Sequence, residues 1–162
     1  MPKIYSFELP EGTNGLLSKI NIIGELINKG SQNIDIRSLS VELISGLEDF
    51  DFQSELEVIY NWVIENIRYV RDIDNIELIH DADKVLEFRA GDCDDFTILL
   101  GSMLKSIGFP IQMVIASRNG IDFEHIYLRV NLNNKWIVCD ASMKMPLGEE
   151  IQTKYKRYFL IK

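Results

Sequence analysis

An α+β fold is predicted by a change in the apolar pattern along the chain. As far as Gly108 apolar residues recur at helical spacing; beyond Pro110 they alternate with polar ones at the period of a strand. Between two of the alternating runs lies Asn133-Asn134, a pair suited to a tight hairpin because asparagine tolerates positive φ. Helices first and strands after give N-terminal helices followed by a mostly antiparallel sheet packed on a central helix. With 162 residues, the chain is long enough for one compact domain with a real core. It reads as an N-terminal helical region, residues 1–50, packed on a core, residues 51–162.

Each element has its own signal. Lys3 to Pro10 alternates Tyr5, Phe7 and Leu9, as in a short strand or extended arm. From Thr13 to Lys29, Leu16, Leu17, Ile20, Ile23 and Ile27 follow helical spacing, and Gly30 is the expected stop. A second helix covers Asp35 to Ile44 and ends by Gly46. The run SELEVIYNWVIENIRYV sets Leu56, Ile59, Trp62, Val63 and Ile67 on one helical face. A short helical turn spans Asp83 to Phe88, capped by Asp81 or Asp83. In EFRAGDCDDFTILLGSMLKSIG, Asp92 or Gly91 caps a helix whose stripe is Phe96, Leu99, Leu100, Met103, Leu104 and Ile107. Gly108 and Pro110 end it. Strands follow at Ile111 to Ser117, Phe123 to Asn131 and Lys135 to Ala141, and the tail KRYFLIK adds another.

Composition narrows the function. Hydrophobic residues are 46% and charged residues 26% of the chain, as in a soluble globular protein. Net charge is -8, the reverse of a nucleic-acid footprint, and KYKRY (Lys154 to Tyr158) is too short a basic cluster to supply one. No run reaches the ~18 apolar residues that span a bilayer. The N-terminus lacks a signal peptide's long apolar run, so a cytoplasmic protein, or one released by another route, is expected. Two cysteines make no disulfide framework and stay free in a reducing compartment. With no CxxC, no HExxH and no glycine-rich phosphate loop, neither metal nor cofactor is expected.

Cys93 stands out because it sits among Asp92, Asp94 and Asp95. Carboxylates raise a thiol's pKa, whereas the first turn of a helix favours a thiolate. Three residues before Phe96, Cys93 extends the apolar stripe by one turn. Asp94 and Asp95 are expected to point away from its side chain, as ordinary helix-start charges. A nucleophilic thiolate needs an imidazole, and the imidazole needs an orienting partner. His80 falls in a loop. His125 falls mid-strand, on one face with Phe123, Tyr127 and Arg129, while Ile126, Leu128 and Val130 take the other. With Asn133-Asn134 as a two-residue turn, Tyr127 lies opposite Asp140, and His125 and Asp140 become diagonal neighbours, roughly 5–8 Å apart at Cβ. A turn shifted by one residue puts them directly opposite. Cys139 goes to the other face, as core. Cys93, His125 and Asp140 can thus serve as nucleophile, base and orienter, with the Cys93 N–H at the helix start as an oxyanion donor.

These blocks resemble the transglutaminase-like superfamily, a permuted relative of the papain-like cysteine peptidases. The resemblance lies in RAGDCDDFTILLGSMLKSIGFP and FEHIYLRVNLNNKWIVCDAS, with IYNWVIENIRYVRD upstream, and covers roughly Phe52 to Ser142. It implies that Cys93, His125 and Asp140 match the catalytic positions. Trp62, Asn61, Tyr69 and His80 are open as side-chain oxyanion helpers, and Tyr127 and Asp94 as substrate contacts. The whole chain looks most like small stand-alone members from bacterial viruses and prophages. The function expected is cysteine-dependent acyl transfer on an amide of a protein or peptide: peptidase, amidase or transglutaminase-type cross-linker. No nucleic-acid or membrane partner is expected.

Plainer readings stand beside these. A cysteine on an apolar helix face is ordinarily a small core residue. A strand histidine is ordinarily a satisfied core or edge residue, and Asp140 also suits a turn cap at DAS. Trp62 and Trp136 fit the core. The alternative function is a structural or assembly protein that uses the fold as a scaffold, with viral structural partners and a virion-associated location.

Overall fold

A computed structural model describes residues 4–6, 13–73 and 77–162. Among the described residues, five helices and eight strands succeed one another. They are β1 (Ile4–Ser6), α1 (Thr13–Ser31), α2 (Ile34–Ile44), α3 (Phe52–Asn66), β2 (Arg68–Tyr69), β3 (Leu78–His80), α4 (Ala82–Phe88), β4 (Ala90–Gly91), α5 (Cys93–Ser106), β5 (Ile111–Ser117), β6 (Phe123–Leu132), β7 (Lys135–Cys139) and β8 (Tyr155–Leu160). The fold is α+β, as predicted. Of the extended arm expected over Lys3 to Pro10, Ile4–Ser6 is a strand, and Phe7 and Leu9 lie outside the described residues.

The stripe predicted for α5 understates its burial. Phe96, Leu99, Leu100, Met103 and Leu104 are buried, but so are Thr97, Ile98, Gly101 and Ser102. Helices α1 to α4 pack around α5 on one side and the sheet on the other. The small residues make this close packing possible, and buried hydroxyls find partners within the helix. Ser102 Oγ donates to the Ile98 carbonyl at 2.6 Å, and Thr97 Oγ1 to that of Cys93 at 2.8 Å.

Gly30 does not stop α1, which runs through it to Ser31. A Cβ there would collide with the Ser102 side chain of α5 and with Ala82 of α4, so this glycine serves close helix approach. Helix α3 is shorter at its C-terminal end than the 54–70 run suggested. Asp51 caps its start by accepting from Ser54 N, and the backbone becomes extended at Ile67. Arg68 and Tyr69 then pair in parallel with Ala90 and Gly91, because β4 offers free backbone groups just before α5. This brings Tyr69 to the start of α5.

The main sheet has strand order β7-β6-β5-β8, with neighbours antiparallel. Asn133 and Asn134 take positive φ, 52° and 64°, and Leu132 pairs with Lys135, the register read from the sequence. Cys139 faces Leu128 in the core. One feature of β6 departs from simple alternation. Ala116 pairs with His125, but the next residue, Ser117, pairs with Phe123, leaving Glu124 as the extra residue of a bulge. Phe123 therefore joins the main core, whereas Tyr127 packs on the opposite face with Val114 and Ala116. The expectation that His125 shares a face with Phe123 is corrected by this bulge.

Candidate active site

The segment from Gly91 to Asp95 builds the start of α5. Asp92 is its N-cap: Oδ1 accepts from Asp94 N at 3.0 Å and Asp95 N at 3.3 Å. Asp95 reaches back to Asp92 N, at 3.3 Å, closing a capping box. Gly91 leaves room for that carboxylate, since a Cβ there would overlap the Asp95 side chain. Asp95 also holds the second histidine. His80 Nδ1 lies 3.1 Å from each Asp95 oxygen, and His80 N donates to Oδ1. His80 is thus a strand residue engaged with the helix start rather than an idle loop residue, and the Asp95 hydrogen bond raises its pKa.

Asp94 and Asp95 are not solvated helix-start charges; both are buried. Nor does Asp94 point away from Cys93. Its Oδ1 lies 3.9 Å from Cys93 Sγ, a long contact in which the thiol donates. Its Oδ2 accepts from Lys19 Nζ of α1 at 2.7 Å, and the same Nζ reaches Glu77 Oε1 at 2.8 Å. Spacing along a helix cannot show this, because the cation that draws the carboxylate inward comes from another helix. Burial, then Asp94, then Asp92 push the Cys93 thiol up; the Ile126 backbone N–H and Lys19 oppose them. On balance these surroundings favour the thiol over the thiolate.

On the sheet, His125 Nε2 donates to Asp140 Oδ2 at 2.7 Å. Asp140 is buried, and its other oxygen accepts from Ser142 Oγ at 3.1 Å and Met143 N at 3.4 Å. Turn cap and histidine partner are thus one carboxylate used on both sides. Ser142 escaped the sequence reading, although the spacing in DAS is that of a side chain bonding two residues back. With Nε2 carrying the proton for Asp140, Nδ1 holds the lone pair. The imidazole stacks on Tyr127, ring centroids 5.4 Å apart. Tyr127 cannot serve as a free donor, because its hydroxyl donates to Glu150 Oε1 at 2.6 Å.

Cys93 and His125 line the same cavity, together with Lys19, Asp94, Phe123 and Glu124. Its volume is about 30 Å³, room for about one water. The hydrogen-bond partner of the sulfur is Asp94, while that of the imidazole is Asp140. Of the other candidates, Tyr69 lies beside Cys93 at the start of α5, where burial first, and then the acidic groups there, raise the phenol's pKa. Trp62 is half-buried under the Arg89 guanidinium, 4.8 Å from its ring, and Asn61 is exposed. Asp92, Cys93 and Asp94 offer ligand atoms within 4.8 Å of one another. Two of the three have other partners, Asp92 Oδ1 at the cap and Asp94 Oδ2 with Lys19.

Known proteins place this fold. Residues 37–141 match the sequence pattern of the transglutaminase-like superfamily. No match was found among curated proteins. Among solved structures, the chain is similar to a candidate protease from Parabacteroides distasonis ATCC 8503 (TM-score 0.64, 12% identity, 87% of this chain and 36% of that one). It is also similar to a candidate cysteine protease from Cytophaga hutchinsonii (TM-score 0.53, 21% identity, 67% and 37%). A third similar structure is Rad4–Rad23 bound to a 6-4 photoproduct UV lesion (TM-score 0.58, 12% identity, 83% and 38%). The chain spans little more than a third of the length of these structures, and identities this low speak to fold alone. The family match covers well over half of the sequence, and on that ground the chain belongs to the transglutaminase-like superfamily.

Proposed function

We propose that this protein is a cysteine-dependent acyl-transfer enzyme acting on an amide carbonyl, with Cys93 as nucleophile, His125 as general base and acid, and Asp140 as the group that orients the imidazole. The observation that carries the reading is the His125–Asp140 hydrogen bond, 2.7 Å long and backed by a buried carboxylate, beside a cavity that Cys93 also lines. Asp140 holds the proton on Nε2 and leaves Nδ1 as the base. Nδ1 takes the thiol proton as sulfur bonds to the carbonyl carbon. The tetrahedral oxyanion lies at the start of α5, near the Cys93 N–H and Tyr69. Collapse breaks the C–N bond, the amine leaves with the proton from His125, and a thioester remains. Water or a second amine then attacks the thioester, giving hydrolysis or transamidation.

One observation favours a scaffold role instead: the sulfur is partly buried and turned to Asp94, and burial and carboxylates favour its protonated form. Alkylation separates the readings. Iodoacetamide at pH 7, with adducts located by mass spectrometry, is expected to label Cys93 and spare Cys139. His125→Ala should slow Cys93 labelling by about 100-fold, the low end of general-base effects. Equal, slow labelling of both cysteines, or an unchanged rate in His125→Ala, would refute the enzyme reading. A peptide or glutamine-mimicking electrophile then identifies the acyl donor.

A further inference from the structure

We infer that Lys19 is a positioning residue for the Cys93 thiol: it holds the Asp94 carboxylate in place and compensates its charge, so that the sulfur can become anionic beside it. The inference rests on the acyl-transfer reading of Cys93 and adds a residue from outside the cysteine, histidine and aspartate blocks. Glu77, Lys19, Asp94 and Cys93 form a continuous chain, with contacts of 2.8, 2.7 and 3.9 Å in turn. The Asp94 side chain is only 4% exposed, so solvent cannot screen it from the sulfur. An uncompensated carboxylate at that distance opposes thiolate formation directly.

The groups facing the sulfur are few. Helix α5 brings Asp92 and Asp94, β2 brings Tyr69, β6 brings Glu124 and His125, and α1 brings Lys19. Among these described residues, Lys19 is the cation whose charge does not depend on a proton near neutral pH. Glu77 takes part of its field and in return steers Nζ. Burial favours the neutral amine, but the two carboxylates outweigh it and keep Lys19 charged. Leu16, Lys19 and Ile20 also form the α1 wall of the cavity, which suggests a purely mechanical rival: a bolt that holds α1 over the sulfur. The two roles predict opposite results.

The experiment measures the rate constant for iodoacetamide alkylation of Cys93 against pH, by peptide mapping, in the full chain. The set is wild type, Lys19→Met, Lys19→Arg, Asp94→Asn, and Lys19→Met with Asp94→Asn. Lys19→Met should move the midpoint upward by about one pH unit or more, which is about tenfold slower labelling at any pH below it. Lys19→Arg should stay near wild type, and adding Asp94→Asn to Lys19→Met should bring the midpoint back down. Should Lys19→Met not fold, the double variant compared with Asp94→Asn still decides, since loss of the lysine charge should leave its midpoint above that of Asp94→Asn. An unmoved midpoint in either single neutral variant would overturn the inference. So would faster labelling of Lys19→Met at every pH, the signature of a bolt removed. A wild-type Cys93 that never reacts would sink the acyl-transfer reading itself, whereas a reactive wild type with an unmoved Lys19→Met would sink this inference alone.

Discussion

Asp92 shows how one side chain can serve two opposed demands. It is the N-cap of α5, which requires an acceptor oxygen, and it stands beside Asp94 and Asp95, which penalise its charge. Burial first, then Asp94 and Asp95, raise its pKa from 3.8 to about 7. The folded chain therefore binds this proton more readily than the unfolded chain does. Stability from this group is present below about pH 4 and is lost as pH rises through about 7. Asparagine caps as well as aspartate and carries no charge. Asp92→Asn should therefore stabilise the protein at pH 8 by on the order of 2 kcal/mol, with the gain vanishing near pH 4. Urea midpoints at the two pH values check this; an equal gain at both would assign it to packing. At this scale the sequence was partly legible. Asp92 as a cap could be read from DCDD, and the pairing of His125 with Asp140 could be read from the register. That Asp94 turns toward the sulfur could not, because Lys19 and Glu77 lie far away in the chain.

Helix α1 was legible as an element but not as a neighbour. Its apolar spacing is plain, and Ile20, Ile23 and Ile27 are buried as expected. Gly30 looked like a stop because glycine is common just past helix ends. The helix passes through it because α5 presents Ser102 at that point. Gly30→Ala tests which role dominates. Alanine gains about 1 kcal/mol of helix propensity, but overpacking at a tight contact costs about 1–3 kcal/mol. The net expectation is a loss on the order of 1 kcal/mol, read as a lower urea midpoint at unchanged slope. A more stable variant would show that α1 and α5 can part without cost. Strand β6 was similarly half-legible. The Asn133-Asn134 turn and the pairing of Leu132 with Lys135 follow from local chemistry, whereas the bulge at Glu124 depends on how β5 meets β6. That bulge separates Phe123, in the cavity wall and main core, from the face of Tyr127.

Across the whole molecule, one core joins α1 to α5 with the inner face of the sheet, and Cys139 lies inside it at 1% exposure. A thiol reagent can reach that sulfur only when the sheet comes away from α5. Cys139 labelling in a urea series should therefore rise with the same midpoint as the loss of helical circular dichroism. Labelling well before that midpoint would mean that the β7 edge opens on its own. Cys93 sits at the rim of the same core, so it should react through local access while Cys139 waits for global opening. Among the described residues no helix is long and apolar enough to cross a membrane.

The order of residues by itself determined the helical and strand periods, the hairpin register and the pairing of His125 with Asp140. Each of these depends on spacing along one segment or across one tight turn, and steric rules convert such spacing into geometry. Only the tertiary structure decided the sulfur's surroundings: Asp94 drawn inward by Lys19, Tyr69 carried alongside by pairing with Gly91, His80 bound to Asp95, and a cavity walled by α1. Those contacts join residues remote in sequence, and their energies come from burial and charge compensation that exist only once the layers have closed.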